Sequence, residues 1–234
     1  MIVIIIPYRA GKGQHQRASQ KEILLPRLHD IAPDALVIVA EQTMGKKFNR
    51  GALLNAAAKF VLESGYVQPV RKGHRFILHD VDLLPMHDLA YAYCEMPSHC
   101  PVFHIASVWK RYDSDTYLGG VLSIQQDALI KVNGFPNMFE GWGGEDDEFR
   151  RRLLWHHIPV ERAVKGTLKD LENLTLEEKL KHLRNSGEKC TNKWEVRDHY
   201  NSVRREHVEG YAENHCQTDV IHVSQKHIHI RIHI

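Results

Sequence analysis

The chain has 234 residues, 43% of them hydrophobic, and carries 31 Lys and Arg against 29 Asp and Glu for a formal net charge of +2. Length and apolar content suit a single domain spanning 1–234 with a real core. The balanced charge excludes the basic surface that nonspecific nucleic-acid binding needs, and a small anionic ligand in a local pocket fits better.

The 17 histidines should make the net charge climb steeply as pH falls. Cys94, Cys100, Cys190 and Cys216 show no CxxC spacing and do not suggest a disulfide framework, so a reduced compartment is expected. The opening apolar run 2–6 is too short for a signal peptide or a membrane span and lacks a basic leader. No other stretch is apolar for long enough to cross a bilayer, so the expectation is a soluble, cytoplasmic chain with no membrane segment.

In chain order, 2–6, 35–40 and 76–78 are apolar without alternation, as strands covered on both faces by helices are. Helices are expected between them, at 21–31 with a bend at Pro26 and at 52–62 with a stop near Gly65. This order predicts the α/β class, with a parallel sheet and a ligand outside the carboxyl ends of its strands. Pro7-Tyr8-Arg9, Glu41-Gln42 and His79-Asp80-Val81-Asp82 stand at those ends. Further strands are expected at 102–106 and 120–124. A helix should run from Glu145 to Trp155, and another should open on a Thr175/Glu178 capping box. The tail 227–234 alternates Ile with His or Arg and predicts a half-buried strand, which accounts for His227 and His229 without a zinc site.

Two clusters carry chemistry. Asp80 and Asp82 leave a buried strand into a turn, where one carboxylate can meet a divalent cation and the other a ribose hydroxyl. In Gly141-Trp142-Gly143-Gly144, glycines surround a flat indole on which a sugar can stack, as a lid would require. Glu145, Asp146 and Asp147 follow in the first turn of a helix, where the macrodipole favours ionised carboxylates able to accept a proton from a sugar hydroxyl.

These residues, with Phe48-Asn49-Arg50, Leu54-Asn55, Tyr117-Leu118-Gly119-Gly120 and Asn133-Gly134-Phe135-Pro136-Asn137, resemble the β1,4-galactosyltransferase family in order and spacing over nearly the whole chain. The stretches 103–107, 116–120 and 145–151 look most like the member that galactosylates protein-bound xylose. The resemblance implies a GT-A glycosyltransferase fold: a Rossmann-like central sheet covered by helices on both faces. It implies UDP-galactose as donor, a glycan or glycoside acceptor such as a β-xyloside, and metal-dependent, inverting transfer that forms a β1,4 linkage. Manganese is the implied ion, with magnesium as the alternative.

By the same resemblance Asp146 is the general base, assisted by Glu145. Pro7, Tyr8, Arg9, Phe48, Arg50, Asp80, Val81 and Asp82 hold the donor nucleotide. Tyr117, with Gly119 and Gly120, favours galactose over N-acetylgalactosamine. Trp142 closes over the sugar, and Trp142, Gly144, Glu145, Asp146 and Asp147 shape the acceptor pocket. Competing readings are the same fold with UDP-GalNAc or UDP-glucose on a surface glycan, and a noncatalytic sugar-nucleotide binding module.

The match departs in two places. The family's second arginine after Pro-Tyr-Arg is missing, and Lys12 and Arg17 are the candidates to contribute that charge. The family member's metal-binding His-x-His falls on Asp170 and Glu172, oxygen donors that suit manganese or magnesium. Asp82 and Glu172, with Asp170 as a weaker candidate, are therefore the expected metal ligands, and His182 is expected to face solvent.

Overall fold

Three parallel strands, β1 (Ile2–Tyr8), β2 (Leu36–Gln42) and β3 (Arg75–His79), form the centre of the sheet in the computed structural model. It describes residues 1–10, 15–70, 73–94, 99–111, 114–204 and 208–234. Successive side chains of β1 point to opposite faces: Val3 and Ile5 enter one hydrophobic core, Ile4 and Ile6 the other, and all four are fully buried. That is why the run does not alternate, and each such side chain contributes about 1.5–3 kcal/mol.

Helix α1 (His15–Ile31) covers one face through Leu24 and Leu28, and helix α2 (Arg50–Glu63) covers the other through Leu53, Ala57 and Phe60. Helix α1 begins six residues before the expected start and retains Pro26 inside. Helix α2 begins at Arg50, not at residue 52, because the Asn49 side chain caps it by accepting from the Ala52 N–H at 2.9 Å. That cap turns Arg50 inward.

The chain continues through β4 (Leu83–Pro85), α3 (Ala90–Cys94), β5 (Val102–His104), β6 (Val121–Gln125) and α4 (Gln126–Lys131). Then come α5 (Glu145–Trp155), β7 (Val160–Arg162), β8 (Leu168–Asp170), α6 (Leu176–Asn185), α7 (Lys193–Ser202), β9 (Gln217–Val223) and β10 (His227–His233). The main sheet runs β7-β5-β6-β3-β1-β2-β10-β9. Strand β6 lies antiparallel to β3, so the sheet is mixed outside its parallel centre. Strand β10 pairs parallel to β2 and antiparallel to β9, with Ile228, Ile230 and Ile232 buried. The alternating tail is therefore an internal strand of the sheet.

Strand β5 stops at His104, two residues short of expectation, and the chain turns into a 3₁₀ helix over Ile105–Val108. Both halves of the Thr175/Glu178 capping box form at the start of α6. A separate ribbon pairs β4 with β8 and sets Asp170 opposite Leu83, which brings Asp170 and Glu172 next to Asp82. None of the four cysteines is in a disulfide. Among the described residues no helix is long and apolar enough to cross a membrane.

Candidate functional site

A cleft of about 520 Å³ opens at the carboxyl ends of β1 and β3. Pro7, Tyr8, Arg9, Phe48, Arg50, Asp80, Val81 and Asp82, eight residues singled out from the sequence, all line it, as do Trp142, Glu145 and Glu172. Burial raises the Tyr8 phenol above its ordinary pKa, with Glu41 adding to the shift, and Lys21 Nζ lies 4.5 Å from its ring centre. Arg9 is buried against Phe48, donates to the Lys46 carbonyl at 2.7 Å and pairs with Glu188 at 2.8 Å.

Arg50 joins the two acidic clusters. Its Nε donates to Asp80 Oδ1 at 2.7 Å and its Nη1 to Asp146 Oδ1 at 2.9 Å, with Glu145 Oε1 at 4.0 Å. Burial works against the guanidinium's charge, but these three carboxylates outweigh it and hold the pKa above the usual arginine value. For Asp80 burial acts upward and, with neighbouring Asp82 and Asp146, prevails over the opposing pull of Arg50.

Asp82 and Glu172 converge on one cationic spot. Arg17 Nη1 lies 2.7 Å from Asp82 and its Nη2 lies 2.7 Å from Glu172, while Lys179 Nζ is 3.6 Å from the first and 2.7 Å from the second. Arg111 pairs with Asp170, reaches Glu172 at 3.4 Å and donates to the Leu174 carbonyl at 2.6 Å. Burial pushes the Asp82 carboxyl up, yet Arg17 and Lys179 overcome it and hold the group well below the usual carboxylate range. Among the described residues no group of three or more His, Cys, Asp or Glu is arranged to hold a metal ion. The donors available to a cation at this spot are two convergent carboxylates, with Asp170 turned to Arg111.

Helix turn geometry separates the three acids that open α5. Glu145 is buried in the cleft wall, and its Oε2 has no hydrogen-bond partner. Burial, then the neighbouring charge of Asp146, raises its pKa to about 8 against the opposing pull of Arg50. The ionised form expected from the macrodipole alone is corrected: at neutral pH this carboxyl is protonated. Gly144, Asp146 and Asp147, all expected in the acceptor pocket, do not line the cleft; Asp146 is bonded to Arg50 in its wall, whereas Asp147 is corrected, being exposed and paired with Lys193 at 2.9 Å. Two residues along a helix rotate a side chain by about 200°, so it cannot share the face of Glu145.

The Trp142 indole lines the cleft, and its backbone is tied on both sides. Its N–H donates to Glu188 O at 2.8 Å, and its carbonyl accepts from the Cys190 N–H at 3.2 Å. Gly144, at φ 110°, is the residue before α5, where a Cβ would lie 2.4 Å from the Phe139 ring. Only glycine fits there.

Tyr117, Gly119 and Gly120 sit behind Asp146. A Cβ on Gly119 would lie 2.4 Å from Asp146 Oδ2, and the Gly120 carbonyl accepts from the Asp80 N–H at 3.0 Å. His104 Nε2 contacts the Gly119 carbonyl at 2.9 Å, and Arg162 Nη1 contacts His104 Nδ1 at 2.9 Å. A carbonyl accepts and a guanidinium donates, so this ring is neutral with its proton on Nε2. His79 is fixed likewise: Nδ1 donates to Asp80 O at 2.9 Å, and Nε2 accepts from Tyr93 at 2.8 Å. Burial lowers both histidines to about 4, so neither joins the charging near neutrality expected from the histidine count.

Residues 1–95 match a family model described as the N-terminal region of glycosyl transferase group 7. Residues 101–177 match one described as the N-terminal domain of galactosyltransferase. Beta-1,4-galactosyltransferase 4 of Cricetulus griseus is 34% identical over 169 residues, 69% of this chain and 44% of that protein. The chain belongs to the β1,4-galactosyltransferase family.

The chain spans about half the length of the curated β1,4-galactosyltransferases it matches. A further relative, the Lymnaea stagnalis beta-N-acetyl-D-glucosaminide beta-1,4-N-acetylglucosaminyl-transferase, is 33% identical over 165 residues, 69% of this chain and 31% of that protein. The catalytic domain of Drosophila beta1,4galactosyltransferase 7, solved with xylobiose, superposes with a TM-score of 0.72 at 22% identity. That match covers 99% of this chain and 92% of the other, and the fold is the GT-A glycosyltransferase fold. A mutant of the same protein, solved with manganese, UDP-Gal and xylobiose, gives 0.71 at 21% identity.

Some motifs shared with β1,4-galactosyltransferases are architecture. Asn55 donates to the Phe135 carbonyl at 2.7 Å and accepts from the Phe135 N–H at 2.9 Å, which locks the 133–137 motif onto α2. Of the two residues proposed for the missing basic charge, Arg17 reaches the cleft, while Lys12 lies outside the described residues. His182 is exposed and stands at the cleft rim. Lys179 and Arg111 were not anticipated from the sequence. A lysine three residues into a capped helix gave one signal, since α6 starts beside Glu172.

Proposed function

We propose that this protein is an inverting glycosyltransferase that moves galactose from UDP-galactose to a sugar hydroxyl to form a β1,4 linkage. A β-xyloside is the first acceptor to test, because the solved GT-A relative holds UDP-Gal and xylobiose. The observation that carries the reading is Arg50: one guanidinium in the cleft wall bonds both Asp80, which lines the cleft, and Asp146, which stands immediately behind that wall at the start of α5.

In this mechanism Tyr8, Arg9 and Phe48 receive the uridine and Asp80 the ribose, with Trp142 against the hexose. Asp146 takes the proton of the acceptor hydroxyl as that oxygen bonds to the anomeric carbon from the face opposite UDP. The bond to the β-phosphate oxygen breaks, and its electron pair leaves with UDP. Glu145, protonated, stands beside Asp146 without adding a second negative charge. Asp82 and Glu172, with Asp170 near them, are the residues that would hold Mn²⁺, and to do so both would have to give up their pairs with Arg17 and Lys179. Such an ion, when bound, would supply charge neutralisation on the departing diphosphate.

Incubation with UDP-galactose, Mn²⁺ and a panel of glycosides that includes a β-xyloside should give a product heavier by one hexose. The Lymnaea relative is named for a different donor sugar, so UDP-GlcNAc, UDP-GalNAc and UDP-glucose belong in the same panel. Release of UDP with none of these donors and acceptors would reject the enzymatic reading.

A further inference from the structure

The cation position between Asp82 and Glu172 is filled from within the chain. Arg17 and Lys179 each touch both carboxylates, and with Arg111 three cations face the three acids Asp82, Asp170 and Glu172. We propose that Arg17 and Lys179 are themselves the diphosphate-binding groups, so that the nucleotide docks in the cleft without a divalent ion. The inference rests on the donor reading given above and goes beyond it, because it assigns the counter-charge of the phosphates to two side chains.

Position supports it first. Both cations line the same cleft as Tyr8, Phe48 and Asp80, on the side where the chain leaves β3. A guanidinium carries five N–H donors and an ammonium three. Arg17 contacts Asp82, Gln20 and Glu172 among the described residues, and Lys179 contacts Asp82 and Glu172. Each retains donor capacity for a phosphate oxygen, and 28% of the Arg17 side chain and 9% of the Lys179 side chain are accessible.

Charge supports it second. Asp82, Asp170 and Glu172 are each already paired with a cation, so a divalent ion must break those pairs to bind. A metal entering on Asp82 and Glu172 must take both carboxylates from Arg17 and Lys179, which strands two cations whose partners are buried. A diphosphate asks for nothing to leave. It adds anionic oxygens to cations already held in place, and fixed charges in a partly dry cleft act strongly on a ligand without reorganising.

Sequence supports it third. Where the resemblance implies neutral imidazoles for a metal, this chain has acids, and acids at those positions are what anchors the guanidinium and the ammonium. The substitution and the two cations make sense as one exchange. A neutral imidazole can accept one hydrogen bond from a guanidinium, as His104 does from Arg162, but supplies no charge to balance Arg17 and Lys179.

The test is calorimetric titration of UDP into the full chain in EDTA and in Mn²⁺, for wild type, Arg17→Gln, Lys179→Met and the double variant. Wild type should bind UDP in EDTA within about threefold of its affinity in Mn²⁺. Each single variant should weaken binding in EDTA by about tenfold or more, the worth of a charge-assisted hydrogen bond. In the double variant the carboxylates stand open, and binding should become Mn²⁺-dependent, which also reports that the variant is folded. UDP binding to wild type only in the presence of Mn²⁺ overturns the inference and leaves the transferase reading intact. UDP binding in neither condition overturns that reading, and this one with it.

Discussion

The Arg50 guanidinium, in the cleft wall, holds the Asp146 carboxylate at 2.9 Å and fixes its direction. A carboxylate so oriented is a base with a fixed direction of approach. Asp146→Asn preserves the shape and can still accept from Arg50, but it cannot take the hydroxyl proton. Turnover should fall by about 10²–10⁴-fold while UDP affinity stays within a few-fold. Steady-state kinetics beside a UDP titration would separate the two, and a variant that keeps near-wild-type turnover would remove Asp146 from the mechanism.

Gly119 gives an independent handle on the same carboxylate. A methyl group there would sit 2.4 Å from Asp146 Oδ2 and 2.8 Å from the Tyr117 ring, so both must move. Asp146 makes the shorter of the two contacts, and a shift of about 1 Å at a reacting group can cost 10²-fold in rate. Gly119→Ala should therefore lose turnover with little change in UDP affinity. Unchanged kinetics would mean that the acceptor side of the cleft lies elsewhere.

The parts of the fold legible in the sequence are those whose cause is local. The runs behind β1 and β2 are buried on both faces, and burial on both faces is visible as apolar residues without alternation. Helix α5 announces itself by glycines and then acids, and β10 by strict alternation. Strand β9 was not legible because it lies at the sheet edge with mostly exposed, polar residues. The cleft's outline followed from the motifs, but its electrostatics did not. Arg17 and Glu172 are 155 residues apart, and the choice of ionic partner is made by the fold. Asp147 was within reach of periodicity, since Glu148 and Arg152 share the buried side of α5 with Glu145.

His104 links the far side of the cleft to acid stability. Its folded pKa of about 4 lies below the ordinary 6.5, because burial disfavours the imidazolium; His79 behaves the same way. Between those pH values the unfolded chain binds more protons than the folded one, so stability must fall as pH drops from 6.5 towards 4. Thermal melts of the wild type should show that decline. His104→Phe should flatten it while lowering the melting temperature at pH 7, because Arg162 and the Gly119 carbonyl each lose a partner at about 1–3 kcal/mol apiece. A melting curve for His104→Phe with the wild-type slope would place the acid sensitivity in other groups.

Glu145 works in the opposite direction. Burial and Asp146 raise its folded pKa to about 8 from an ordinary 4.5, so between these values the folded state binds the extra proton. The sign follows: this contribution to stability is complete below pH 4.5 and is lost as pH rises towards 8, where a second buried negative charge appears beside Asp146. Glu145→Gln keeps the shape and stays neutral at every pH. The variant should melt close to wild type near pH 5 and above it at pH 9, with the gap opening through the neutral range. An offset between the two curves that stays constant from pH 5 to pH 9 would mean that Glu145 is ionised throughout, and the protonated neighbour assigned to Asp146 would have to be abandoned.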